Sequence, residues 1–429
     1  MGRRILFIIL MFVSLGSFGQ EKMALRTDEV NVYFKEAEVA AKKSKNLWGK
    51  NIFGPIMLIN PATKEIYANV QDSLGELKQD NHIYTGIFSK KENIANTSIR
   101  WNGTDWATVM LPLPENKYDR ISLLLHERFH VVQPKLGFSQ SNGNCAHLDS
   151  KDGRIYLRLE SEALKKAVSA STTSQINEHV TNAFIFRKYR QSLFSGADTE
   201  ENKLELNEGL AEYTGEASCG RPERQKGEHF VKNIDRSMKN PTFVRSFAYQ
   251  TIPAYGYLLD KRKQGWNRSI NDNTNLSNFL IDAFQVKIPS NLKDVVNQIA
   301  DSYNGTEITN EEIIREEKNQ KLIVEYKSKF IEQPHFEIRL EKMRINFDPR
   351  NIMPLENKGT VYPNVRVIDE WGTLTVTDGA LVSSDWKTIT ITNPTNMDGY
   401  KLSGNGWTLE LNKGYSVVIT NGNFGLKKD

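Results

Sequence analysis

The sequence predicts an α+β protein: an N-terminal antiparallel sheet beside one helix, a mainly helical middle, and a C-terminal all-β module. Three observations carry this expectation. Short apolar runs broken by turn residues fill positions 50–113, long helical patterns dominate from about 155 to 345, and from about 355 short strand patterns separated by Gly, Asn and Asp return. The chain has 429 residues, 39% hydrophobic and 25% charged, enough for a sizeable core in about two to four domains.

The N-terminus differs from the rest. Arg3 and Arg4 precede ILFIILMFVSLG, and Ser17-Phe18-Gly19 supplies small residues at the usual spacing before a cleavage point, the pattern of a secretory signal peptide over 1–19. Cleavage is placed after Gly19, leaving Gln20 first, with the Gln20/Glu21 bond as the near alternative. The apolar run is short for a membrane span, and no cysteine follows it to carry a lipid anchor. A periplasmic or secreted bacterial protein is expected, with no integral membrane span in the mature chain. The formal charge of +4 falls to +2 once Arg3 and Arg4 are removed, which predicts no nucleic-acid partner. Cys145 and Cys219 are the only cysteines. In an oxidising compartment they are a candidate disulfide pair, the alternative being two separate buried thiols.

The next region, 20–118, opens with a helix over 28–46 carrying Val30, Phe34, Ala37, Ala40 and Ala41 on its apolar side. Strands follow in GPIMLIN, KEIYANV, HIYTGIF and TSIRW, and the turn NGTD leads into WATVMLPLP, ended by Pro112 and Pro114. An edge of this sheet could hold an extended peptide as an added strand. A mainly helical region is expected over 119–345, with Asp119 as a candidate cap at its start. Its last large helix spans 310–333, where TNEEIIREE places acidic residues near the N-terminal end. The C-terminal β module takes 346–429. Trp371, Trp386 and Trp407 fall there and are read as core.

The chemistry-bearing stretch is LLLHERFHVV, residues 123–132. On a helix His126 and His130 share a face and can reach one point, with Glu127 beside it to take a proton from an activated water. A third ligand is needed. LELNEGLAEYTGE, residues 204–216, puts Glu208 and Glu212 on one helical face amid Leu204, Leu206, Leu210 and Ala211, surroundings that give a buried carboxylate a purpose. Glu208 is therefore the first choice for the third ligand. Glu212 can accept a hydrogen bond from the second nitrogen of a ligating histidine, His126 for preference, and Gly209 would permit close approach of another backbone. Glu160 is the main rival as third ligand, followed by Glu162, His147 and Asp149.

HERFH together with NEGLAEY resembles the gluzincin metallopeptidases, the thermolysin-like and aminopeptidase-like clan of HExxH proteins. The wider chain is also similar to an uncharacterised group of secreted bacterial peptidases, with GPIMLIN before the HERFH segment and AYGYLLD after it. The resemblance implies a zincin-like fold and Zn2+ held by His126, His130 and Glu208. It further implies Glu127 as general base and acid, Glu212 behind a histidine, and hydrolysis of a peptide or protein substrate. It covers 119–137 and 204–217 most clearly. The chain departs from the pattern in spacing, since Glu208 follows His130 by 78 positions where the familiar members use about twenty. Loop closure tolerates such an insertion because its entropy grows slowly with length.

In that clan a tyrosine or histidine from a later helix donates to the oxyanion. The candidates here are Tyr249, Tyr255, Tyr257 and His229, with Tyr257 preferred because Pro253 and Gly256 would let a kinked helix aim it. No glycine-rich exopeptidase motif precedes the HERFH segment. Two other readings stay open: a zinc hydrolase of a non-peptide amide or ester, and a non-catalytic zinc-containing binding protein.

Overall fold

The computed structural model describes residues 26–89, 94–347 and 352–429, so the expected signal peptide at 1–19 lies outside the described residues. The chain divides into two units between Asn310 and Glu311. In the first, α1 (Thr27–Lys43) buries Val30, Phe34, Ala37, Ala40 and Ala41, the face its sequence pattern marks. Six strands follow: β1 (Ile56–Ile59), β2 (Glu65–Ala68), β3 (Lys78–Asp80), β4 (Ile83–Ile87), β5 (Thr97–Trp101) and β6 (Thr104–Met110). They form one sheet in the order β3-β4-β2-β1-β6-β5.

The sheet is mixed, where an antiparallel one was expected. The central pair β1–β6 runs parallel, with Leu58 opposite Val109. The reason is topological: β2 to β4 build outward on one side of β1, and the returning chain lays β6 on the other side in the same direction. Strand β1 is buried on both faces. Ile56 and Leu58 join the main helical core, while Met57 and Ile59 join a second cluster with Ile66 and Trp106. The β5–β6 hairpin turns at Asn102-Gly103, both at positive φ, the two-residue connection that suits the strand twist.

Strand β6 leads into α2 (Lys117–Val132), which carries the HERFH motif. Asn116, rather than Asp119, caps it, accepting from the backbone N–H groups of Tyr118 and Asp119 at 2.9 and 3.3 Å. The insertion before NEGLAEY folds as a loop and three helices, α3 (Lys151–Ser169), α4 (Thr173–Leu193) and α5 (Ala197–Leu204). One widened π turn, Glu205–Gly209, joins α5 to α6 (Leu210–Ser218). Then come α7 (Glu223–Ser237), α8 (Ala248–Asp260), α9 (Leu276–Phe284) and α10 (Leu292–Ile299).

The division between units falls within α11 (Gly305–Lys327). Apart from α11 and two short helical turns, Ser328–Glu332 and Glu356–Lys358, the described residues of the second unit form a seven-stranded and a six-stranded sheet sharing one cluster that includes Phe336, Val367, Trp371, Ile389 and Trp407. Its first strand is His335–Arg339, ahead of the boundary expected at 346. The alternation of buried Phe336 and Ile338 with exposed Glu337 and Arg339 is a strand signature only five residues long.

Both cysteines are free and buried, so no Cys145–Cys219 disulfide exists. Cys145 packs with Leu148, Leu157, Leu204 and Phe243, whereas Cys219 belongs to the main core. No helix among the described residues is long and apolar enough to cross a membrane.

Candidate metal centre

Helix α2 places His126 and His130 one turn apart and buries both. Their Nε2 atoms face each other at 3.1 Å. Each ring is fixed from behind. His126 Nδ1 lies 2.7 Å from Glu212 Oε2, and His130 Nδ1 lies 2.8 Å from Gln133 Oε1. The amide orientation of Gln133 follows from its other bonds: its Nε2 donates to the carbonyls of Leu206 and Asn207 at 3.1 and 2.8 Å, which turns Oε1 toward the ring. Both Nδ1 atoms are thus donors, and both Nε2 lone pairs are left for the space between the rings.

Glu208 completes that space. Its Oε2 lies 3.6 Å from His126 Nε2 and 3.3 Å from His130 Nε2. Among the described residues these three side chains form the one group of three His, Cys, Asp or Glu able to hold a metal ion, with ligand atoms within 4.8 Å of one another. Ligands at zinc distances in tetrahedral arrangement stand roughly 3.3 Å apart, close to what the three atoms show. The other carboxylate oxygen, Oε1, is 3.3 Å from Asn207 Nδ2, and Tyr249 donates its hydroxyl to Oε2 at 2.6 Å.

Local backbone explains why Glu208 arrives there. The π turn contains one residue more than an α turn and leaves carbonyls without helical partners, and the Gln133 amide takes two of them. One side chain therefore fixes both the tautomer of His130 and the turn that carries Glu208. Two glycines permit the packing. A Cβ on Gly215 would lie 2.5 Å from the carbonyl oxygen of Ser122 on α2, and one on Gly209 would lie 2.7 Å from Ile252 on α8. Gly209 thus accommodates the tyrosine-bearing helix, and Gly215 accommodates the histidine-bearing one.

Charge in the cluster is unbalanced toward the negative. Burial pulls the His126 pKa down, but hydrogen bonds to Glu208 and Glu212 and the nearby Glu127 hold it well above the ordinary histidine range. His130 is likewise raised, burial being outweighed by Glu208. Burial drives the Glu127 carboxyl up despite the two histidines. The Glu208 carboxyl is held well below its usual range because His130 and His126 outweigh its burial. The cluster favours a positive charge among these side chains. Glu127 has no hydrogen bond from another side chain among the described residues and stays within electrostatic reach of both histidines. Burial, then Glu208, raises Tyr249, so its hydroxyl keeps its proton and can donate.

The other sequence candidates lie elsewhere. Tyr257 donates to Glu223 at 3.0 Å, away from the cluster, whereas Tyr249 lies beside Glu208, its ring stacked on His126 with centroids 5.5 Å apart. The reason is helical phase, since eight residues along α8 turn a side chain about 80° away. Tyr255 donates to Glu160, and His229 lies 3.0 Å from Glu216. Glu160 is bound to Arg187 and Arg190, Glu162 to Lys165, and His147 to Glu201. Asp149 accepts from the Phe243 N–H and the Thr242 hydroxyl. Gln133 was missed from sequence, although its position three residues after His130 puts it on the same side of the chain as the ring. The π turn had no sequence signal.

Comparison with protein-family models, curated proteins and solved structures gave no match for this chain.

Proposed function

We propose that this protein is a zinc-dependent peptidase of the gluzincin type acting outside the cytoplasm, with His126, His130 and Glu208 as the metal ligands. The observation that carries the reading is the convergence of three buried acceptors, two Nε2 atoms and Glu208 Oε2, at 3.1, 3.3 and 3.6 Å. Acceptors so placed repel one another unless a cation or proton sits among them. Two imidazoles and one carboxylate are a zinc donor set, and three protein ligands leave a fourth position open. The motif resemblance supports the same assignment, and the signal-like N-terminus supports export.

Zinc bound there would supply a Lewis acid that acidifies a water and polarises a scissile carbonyl. The chain's own groups account for the rest. Glu127, one residue from His126, takes the proton of the attacking water and passes it to the leaving amine, and its burial-raised pKa suits both directions of transfer. Tyr249, still protonated and partly exposed beside Glu208, is placed to donate to the developing oxyanion. Glu212 and Gln133 keep both rings in the tautomer that ligation needs.

The test is metal content followed by turnover. Residues 20–429 purified without chelators should hold about one zinc per chain by mass spectrometry, lost in Glu208→Ala while the fold persists. A peptide library should then be cleaved by the unchanged protein and not by Glu127→Gln. Zinc without Glu127-dependent cleavage of peptides, or no zinc after incubation with the metal, would overturn the assignment.

A further inference from the structure

Behind the π turn lies a second buried cluster of charge. Arg187 and Arg190 on α4, Glu160 on α3, Glu201 on α5 and Glu205 in the π turn are all fully buried. Arg187 grips Glu205 with two parallel bonds, Nη1 to Oε2 at 3.0 Å and Nη2 to Oε1 at 2.8 Å, and gives its Nε to Glu160 at 2.7 Å. Arg190 gives Nη1 to Glu160 at 2.6 Å and grips Glu201 at 2.8 and 2.9 Å. Glu205 Oε1 also accepts from the hydroxyl of Thr251 at 2.7 Å, and Ser277 lies 3.1 Å from Arg187.

Such a lattice is a poor source of stability, since apolar residues of similar volume often serve as well or better. Its geometry suggests another purpose. Glu205 opens the π turn that ends just past Glu208, and Thr251 lies two residues from Tyr249 on α8. The Glu205 carboxylate therefore joins α4, the π turn and α8 at one point. A π turn is a rare backbone form, and this one is restrained from outside. On one side Gln133 supplies that restraint, and on the other Glu205 does.

We propose that Glu205 is a positioning residue for the metal centre: held by Arg187 and Thr251, it fixes the π turn so that Glu208 is presented to His126 and His130 before any ion arrives. This rests on the metal-ligand reading of those three residues. Pre-organisation of that kind shows in affinity, because a flexible ligand must be ordered at the moment of binding.

The experiment uses Co2+, whose visible absorption reports ligand number and geometry, together with Zn2+ affinity by chelator competition. Both are measured well below the melting temperature of each variant. Glu205→Gln keeps shape and one acceptor oxygen but loses the charge. Thr251→Val removes only the hydroxyl, and Thr251→Ser restores it. Expected are a roughly 10-fold weaker metal Kd and an altered Co2+ spectrum for Glu205→Gln, a smaller change in the same direction for Thr251→Val, and recovery in Thr251→Ser. Should Glu205→Gln fail to fold, the valine–serine pair decides alone. A lower melting temperature with unchanged Kd and spectrum in the folded variants makes the lattice purely structural and overturns the positioning role, while leaving the metal site standing. Failure of the unchanged protein to bind either ion overturns the metal reading itself.

Discussion

Two buried charge clusters lie on either side of one π turn, and they are built on opposite principles. In the lattice around Arg187 and Arg190, guanidinium donors meet carboxylate acceptors, with Thr251, Tyr255, Gln191 and His147 supplying further bonds. In the cluster around His126 and His130 the acceptors converge on one another, and the ring donors point away, toward Glu212 and Gln133. Burial and charge are common to both. What separates them is closure: the charged groups of the first set bond one another, and the second leaves lone pairs aimed at a shared point. A carboxylate engaged by two arginines and Tyr255 has little capacity left for a metal, which leaves Glu208 and not Glu160 as the candidate ligand.

The largest effect expected lies on the open side. Glu127→Gln should lower kcat/KM by roughly 10²- to 10⁴-fold and leave bound zinc unchanged, measured on a peptide substrate found by library screening. Equal activity in the variant would remove Glu127 from the mechanism and with it the contrast between a working cluster and a structural one. At Arg190, which bonds Glu160 and Glu201 but not Glu205, the response should be in stability. Arg190→Met removes the shared partner of Glu160 and Glu201 and should destabilise the fold by about 3–5 kcal/mol, the cost of leaving buried carboxylates short of a counter-charge. Chemical denaturation would read this, with metal stoichiometry remaining near one per chain. An unchanged midpoint would mean that the lattice is not closed.

A smaller effect sharpens the contrast within the open cluster. Glu212→Ala leaves the His126 Nδ1–H without its acceptor and should weaken zinc binding by about 10- to 100-fold, seen in competition with a chelating dye. The same truncation at Glu162, which pairs with half-buried Lys165 on α3, should leave metal affinity unaltered.

These clusters also mark how far the sequence could be read. His126, Glu127 and His130 are legible because helical spacing alone places them. Glu208 and Glu212 are legible because two glutamates one turn apart, within apolar surroundings, imply a use for buried charge. What could not be read depends on tertiary phase. Choosing Tyr249 over Tyr257 needs the rotation of α8 about its axis, which a helix buried on nearly every side does not reveal in its pattern. The π turn depends on Gln133 and Glu205 closing on it from separate elements. The parallel β1–β6 pair depends on which side of the sheet the chain returns to, and local alternation is the same for either direction. The strand at His335–Arg339 is short enough to disappear beside the long helix before it.

A last difference separates the two thiols, one beside the lattice and one at the far end of α6. Cys145 sits near Glu201 and Glu205 of the lattice, and Cys219 lies at the end of α6, beside Glu216. Burial first, and those carboxylates second, push Cys219 from its ordinary 9.0 up to about 12 and raise Cys145 as well. The thiolate is the reactive form, so neither should react with a thiol reagent at pH 8–9 in the native protein, and both should react in denaturant. A disulfide would instead give no free thiol in either state. Linkage fixes the direction of the stability effect. A group whose folded pKa lies above its unfolded one contributes fully below the unfolded value, and the contribution is lost as pH rises toward the folded value. Stability should therefore decline between about pH 9 and pH 12, and Cys219→Ala should flatten part of that decline. Early labelling of Cys145 alone would show the lattice opening by itself while the end of α6 stays closed.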